Sequence, residues 1–199
     1  MQPGGEAKTR LDGYEVLVAV CGGIAAYKTA TLVSRLVQVG AGVTVAMTRS
    51  ARKFITPLTM EALSGRRVFT DLWTSGEAHD PQHLSLTESA DLFIIAPATA
   101  NIIAKLVLGI ADEVVSTMAL SAASPMLIAP AMNTRMWEHP AVQENIAILG
   151  RRGAHLIGPG EGWLACRTVG KGRMSEAEEI FSEAVALLRK SPAKRGVST

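Results

Sequence analysis

The chain has 199 residues, 48% hydrophobic and 19% charged, with a net charge of only +2, so one domain with a full-sized core is expected and no bulk field invites nucleic acid. Its two cysteines, Cys21 and Cys166, exclude a cysteine metal cluster and a disulfide framework. No stretch reaches the roughly 18 consecutive apolar residues of a membrane span, and the polar N-terminus lacks an apolar signal core, so a cytoplasmic protein without metal or membrane is expected.

Residues 1–12 read as a flexible lead-in. YEVLVAV (14–20) is a continuous apolar run, the pattern of a strand buried on both faces. Gly22 and Gly23 open a helix over 24–40 whose apolar stripe runs through Ile24, Tyr27, Leu32, Leu36 and Val39, with Gly40 as its stop. A strand follows at 43–48, a short helix at 57–64 with Pro57 at its start, and a short strand at 68–73. The polar stretch 74–82 reads as a loop. Then come a short helix at 84–90, a buried strand at 91–97, helices at 100–108 and 112–122, and a strand at 125–131. A helix around 140–150, a strand at 154–157 and a helix from Ser175 to Lys190 complete the order, with Ser175 and Glu178 spaced as a capping box. Strands alternating with helices predict an α/β fold, a Rossmann/flavodoxin-like open parallel sheet with helices on both faces. It forms a single domain over 13–190 followed by a flexible tail, 191–199.

The loop VAVCGGIAAYK puts two glycines between a buried strand and a helix, which lets backbone approach an anion and aims helix N–H groups at it. It has neither the dinucleotide-binding nor the P-loop glycine spacing, so a simple tight turn reads equally well. Thr48, Arg49 and Ser50 end the second strand at the same sheet edge, where ligands of parallel sheets sit.

Three further segments, APATAN (96–101), PAMNTRMW (130–137) and WLACRTVGKGRM (163–174), join that loop in a recognisable set. The chain resembles the homo-oligomeric flavin-containing cysteine decarboxylases, over roughly residues 14 to 181. That family includes phosphopantothenoylcysteine decarboxylase and the peptide-modifying decarboxylases of lantibiotic biosynthesis. The resemblance implies FMN as cofactor, against Gly22, Gly23, Ile24, Thr48, Ser50, Pro97, Thr99, Ala100 and Asn101. It implies His83 as catalytic base, with His79 the nearest rival and His139 and His155 structural. It implies a substrate site of Ala131, Met132, Asn133, Trp163, Leu164 and Ala165, with the Asn133 amide on the substrate carboxylate, although a helix cap suits that Asn too. Cys166 matches the cysteine that donates a proton late in the reaction of the coenzyme A branch, within a glycine-rich flap. Cys21 is expected to pack at the end of the first strand. The chain departs from the family pattern at Ile102, where the family has Thr, and at Arg167, where it has Gly. Arg does not take a positive φ cheaply, so a changed flap conformation is expected.

The implied reaction is decarboxylation of phosphopantothenoylcysteine by oxidation of the thiol to a thioaldehyde, loss of CO₂ and re-reduction. A peptidyl-cysteine decarboxylase, a flavin prenyltransferase and a non-catalytic flavin-binding subunit remain alternatives; Cys166 favours the first reading. The resemblance also implies a homo-oligomer, trimer or dodecamer. A phosphopantothenate–cysteine ligase would be a separate protein or lie beyond the end of this sequence.

Overall fold

The computed structural model describes residues 9–72 and 82–194. Five parallel strands form the central sheet: β1 (Glu15–Val20), β2 (Gly42–Met47), β3 (Leu92–Ala98), β4 (Met126–Pro130) and β5 (His155–Leu156). Their spatial order is β2-β1-β3-β4-β5, the flavodoxin-like order with its topological switch between β1 and β3. The helices are α1 (Ala26–Gln38), α2 (Pro57–Ser64), α3 (Gln82–Ser89), α4 (Ala100–Leu108), α5 (Val114–Ser121), α6 (Thr134–Trp137), α7 (Pro140–Arg151) and α8 (Ala177–Leu188).

Strand alternation divides the core between the two faces. Val16, Val18 and Val20 of β1 meet Leu32 and Leu36 of α1, Met60 of α2 and Ile180 and Leu188 of α8. Leu17 and Ala19, pointing the other way, join Phe93 and Ile95 of β3 with Ile102 and Ile103 of α4, Met118 of α5 and Leu149 of α7. All seven residues of β3 are buried. Each large side chain so enclosed contributes about 1.5–3 kcal/mol relative to exposure, which is why these near-continuous apolar runs must occupy the middle of a covered sheet. The α1 helix ends where Gly40, at φ +94°, donates to Val37 O while Ala41 donates to Leu36 O, a Schellman closure.

Several expectations are revised. Over 68–72 there is no strand, only a single bridge from Phe69 to Ala46 at the sheet edge. Ser175 does not cap the last helix; it is buried, and its Oγ would lie 2.6 Å from a Cβ on Gly158. The N-cap is Glu176, whose backbone N–H donates to Glu179 at 2.7 Å. Ile24 and Tyr27, read as core-facing, are 57% and 61% exposed. Residues 160–173, read only as a glycine-rich flap, form an antiparallel hairpin, β6 (Gly160–Trp163) and β7 (Val169–Arg173). Beyond the last helix, Tyr14 Oη donates to Ser191 O at 2.9 Å, and Lys194 donates through Nζ to Glu88 O and Ala90 O and through its backbone to Asp91. Among the described residues, no helix is long and apolar enough to cross a membrane.

Candidate functional site

The carboxyl ends of β1, β2, β3 and β4 and the β6–β7 hairpin surround one cleft of about 1170 Å³. It opens at the β1/β3 switch, where chains leaving adjacent strands diverge and leave a crevice. Cys21 to Lys28 form the wall above β1, Thr48 to Ser50 that above β2, Thr99 to Ile102 that above β3, and Ala131 to Asn133 that above β4.

Gly22 is required by a close approach: a Cβ there would lie 2.3 Å from Ser50 Cβ. Gly23 meets nothing nearer than Pro97, at 3.7 Å, so Pro97 backs this loop from within β3 instead of lining the cleft. The first turn of α1 has no side-chain cap, which leaves its N-terminal partial positive charge open to an anionic ligand. Thr48 Oγ1 accepts from Ala51 N–H at 3.1 Å and fixes the turn that carries Ser50. Thr99 caps α4 by accepting from Ile102 N–H at 3.4 Å. Ile102 itself is 1% exposed and packed in the core. Ala100 and the exposed Asn101 face the cleft at the start of α4.

Asn133 is the N-cap of α6: its Oδ1 accepts from Met136 N–H at 2.9 Å. Capping uses only the carbonyl half of the amide, so the NH₂ keeps its capacity to donate. The hairpin closes over this segment. Met132 N–H donates to Gly172 O at 3.0 Å, and Cβ atoms on Gly170 or Gly172 would strike Thr134 Oγ1 or Met132 O, at 2.3 and 2.2 Å. Glycines are therefore what let β7 lie on the Met132–Thr134 backbone. At the hairpin tip Leu164 N–H donates to Thr168 O at 2.8 Å and Arg167 N–H to Leu164 O at 2.9 Å. This tight closure needs a left-handed residue, and Arg167 supplies it at φ +64°, at a cost of about 1–2 kcal/mol relative to an unstrained backbone. Trp163, Leu164, Ala165 and the exposed Cys166 line the cleft from this tip, and Cys166 Sγ lies 3.1 Å from Thr168 Oγ1.

The cleft also holds charges that sequence reasoning missed. Lys105 pairs with Asp112 at 2.6 Å, and this partner holds the Asp112 carboxyl below its ordinary range. Glu113 Oε1 caps α5 by accepting from Ser116 N–H at 2.9 Å, while Oε2 is buried without a partner. Lys28, only 7% exposed, donates to Met174 O and Glu176. Its spacing was a usable signal: Lys28 lies four and eight residues before Leu32 and Leu36, on the stripe that enters the core. Cys21 is fully enclosed, and burial pushes its thiol far up. His83 falls in the first turn of α3, ahead of β3, while His79 lies outside the described residues. Among the described residues, His139 caps α7, its Nδ1 accepting from Ala141 N–H at 3.1 Å, and His155 is in β5. No group of described residues could hold a metal ion.

The chain matches the family model described as Flavoprotein over residues 5–189. It is 50% identical over 170 residues to the coenzyme A biosynthesis bifunctional protein CoaBC of Bacillus subtilis, an alignment covering 85% of this chain and 42% of that protein. The chain thus spans less than half the length of this relative. Among solved structures it is similar to a Cys-to-Ser mutant of PPC decarboxylase complexed with pantothenoylaminoethenethiol, with a TM-score of 0.81 and 30% identity over 89% of this chain and 99% of that one. It is also similar to the FMN-dependent cysteine decarboxylase SpaF, with a TM-score of 0.76 and 31% identity over 88% of this chain and 97% of that one. With a flavodoxin-like sheet, a cleft at its switch point and a matching model over nearly its whole length, the chain belongs to the flavoprotein family.

Proposed function

We propose that this chain is an FMN-dependent decarboxylase of phosphopantothenoylcysteine, a carboxy-lyase acting in coenzyme A biosynthesis. One observation carries the reading: the glycine loop, Thr99–Asn101, Ala131–Asn133 and the Trp163–Cys166 tip, distant in sequence, line a single cleft. Its volume exceeds the roughly 300–1,000 Å³ usual for one small-molecule site, which suits a cofactor and a substrate side by side. Similarity to a PPC decarboxylase, to SpaF and to CoaBC supports the cofactor, the reaction and the pathway.

The donor set fits FMN. An uncapped helix start, the hydroxyls of Thr48, Ser50 and Thr99 and the cation of Arg49 suit a phosphate and a polyol, and Asn101, Ala100 and Ile24 suit a flat heteroaromatic ring. When bound, FMN supplies a reversible two-electron acceptor for the substrate thiol. Carboxylate loss then has a sink in a thiocarbonyl β to it. Asn133, its Oδ1 committed to the cap, holds the carboxylate through its NH₂ without adding a charge that would retain it. His83 takes the substrate proton. Cys166 returns one late, with the Thr168 hydroxyl beside its sulfur able to hand the proton on. Exposed Ile24, Tyr27, Met136 and Trp163 around the cleft support a homo-oligomer, trimer or dodecamer, in which a neighbouring copy covers them. The ligase partner is inferred from the bifunctional relative alone, and the cytoplasm is its place.

The test is anaerobic mixing of the flavin-loaded protein with phosphopantothenoylcysteine, following flavin absorbance, CO₂ and product mass. Transient bleaching with CO₂ release is expected. His83→Asn should take up FMN normally and lose about 10²–10⁴-fold in rate. A folded protein that stays colourless in excess FMN overturns the proposal.

A further inference from the structure

The hairpin that brings Trp163–Cys166 to the cleft is rooted at β7, and its root is tied to α1 by charge. Lys28 reaches across from the first turn of α1. Its Nζ donates to Met174 O at 3.1 Å and to Glu176 Oε1 at 2.9 Å. Arg173, the last residue of β7, donates through Nη2 to the same Glu176 oxygen. One carboxylate oxygen thus holds a cation from each side of the cleft. The Lys28 ammonium is 7% exposed, while Glu176 is about half exposed. A buried ammonium keeps its charge at an acceptable cost only when paired, so the arrangement is specific. Lys28, Arg173 and Met174 line the cleft; Glu176 is not among its lining residues.

We propose that Glu176 is a positioning residue: by holding Lys28 of α1 and Arg173 of β7 on one carboxylate oxygen, it pins the hairpin root to the helix that begins at the glycine loop, and so sets where Trp163–Cys166 stand over the cleft. Lys28 and Arg173 are the charged groups that face it from α1 and β7, and Glu179 approaches it from α8. Neutral pH keeps the tie intact, because Lys28 in the first place holds the Glu176 carboxyl below its ordinary range. As for the hairpin's consequence for turnover, the inference rests on the proposed decarboxylation; its structural content does not.

The experiment compares Glu176→Gln with wild type and with Glu178→Gln, which removes only a surface pair with Arg35. Cys166 is exposed and Cys21 buried, so labelling by a thiol reagent reports the hairpin tip alone. Trypsin cleavage after Arg167 and Lys171 reports it independently. Loss of a charge-assisted tie should raise both rates about ten-fold in Glu176→Gln, with FMN uptake unchanged and Tm lower by only about 2–4 °C, and leave Glu178→Gln like wild type. Turnover of phosphopantothenoylcysteine should fall in Glu176→Gln while FMN uptake does not. Unchanged labelling and cleavage overturn the proposal. So does a parallel loss of Tm and FMN uptake, which would make Glu176 a general stabiliser. If wild type takes up FMN but does not turn over, the decarboxylase reading fails while the labelling and cleavage comparison still decides the role of Glu176.

Discussion

Replacing the adjacent glycines Gly22 and Gly23 by alanine, one at a time, should give opposite results. Neither has a positive φ, so backbone strain plays no part and only space decides. A methyl on Gly22 would lie 2.3 Å from Ser50 Cβ and 3.1 and 3.2 Å from its carbonyl carbon and Cα, against an ordinary carbon–carbon contact of about 3.5–4.0 Å. Ser50 cannot simply retreat, because Thr48 N–H is bonded to Val20 O and Ala51 N–H to Thr48 O. Forcing such an overlap costs about 1–3 kcal/mol. At about 2–4 °C per kcal/mol for a domain of this size, Gly22→Ala should lower Tm by about 4–8 °C when the overlap costs about 2 kcal/mol. The same methyl on Gly23 meets only ordinary contacts, the nearest at 3.7 Å, and removing a glycine from the unfolded chain gains about 0.4–1 kcal/mol. Gly23→Ala should therefore match or slightly exceed wild type. Thermal unfolding of the flavin-free protein followed by circular dichroism measures both. Equal losses, or a Gly22→Ala variant indistinguishable from wild type, would refute the packing argument.

Asn133→Asp keeps an oxygen for the α6 cap but replaces the amide donor by a negative charge. Its unfolding free energy should stay within about 0.5 kcal/mol of wild type, while substrate turnover collapses; normal turnover would leave Asn133 as a cap only. A thiol reagent should modify Cys166 in the native state and Cys21 only on unfolding, since Cys21 is buried with its thiol pushed up; mass mapping of labelled peptides reads this directly. The Glu176 pairing involves a carboxyl lowered from its ordinary value of 4.5. Its contribution is thus fully present above that value and lost as pH falls through the lower folded one. The Tm difference between wild type and Glu176→Gln should vanish in that acid range, and a difference that persists there would assign the effect to something other than ionisation.

The central sheet was legible because β1, β3 and β4 are covered on both faces and so carry unbroken apolar runs that no other environment tolerates. The cleft was legible for a related reason: four of its walls are the turns that leave β1, β2, β3 and β4. The β6–β7 hairpin was not. GEGW and VGKGR alternate glycine with charged or exposed residues, and the pair is fixed by main-chain contact with Met132 instead of by core burial, so no hydrophobic period marks it. The cap of α8 shifted by one residue because Ser175 is buried against Gly158 and Glu176 stands at the N-cap in its place, a tertiary demand that outweighs the serine's intrinsic preference for capping. Arg167 was expected to alter the flap; instead it adopts the left-handed backbone itself, so the loop survives the missing glycine at an energetic cost. Lys105 reaches the cleft from the last turn of α4, and Asp112 and Glu113 from the α4–α5 connection, and nothing in their spacing distinguishes them from ordinary helix-end charges.

Lys194 and Ser191 are fastened beside Asp91 and Tyr14, where β1 and β3 begin, and the cleft lies where those strands finish. Polypeptide joined after Lys194 would emerge from the far end of the sheet. An affinity handle or a fluorescent reporter fused there would leave ligand access and hairpin movement unobstructed, whereas the same cargo inserted near residue 166 would block both.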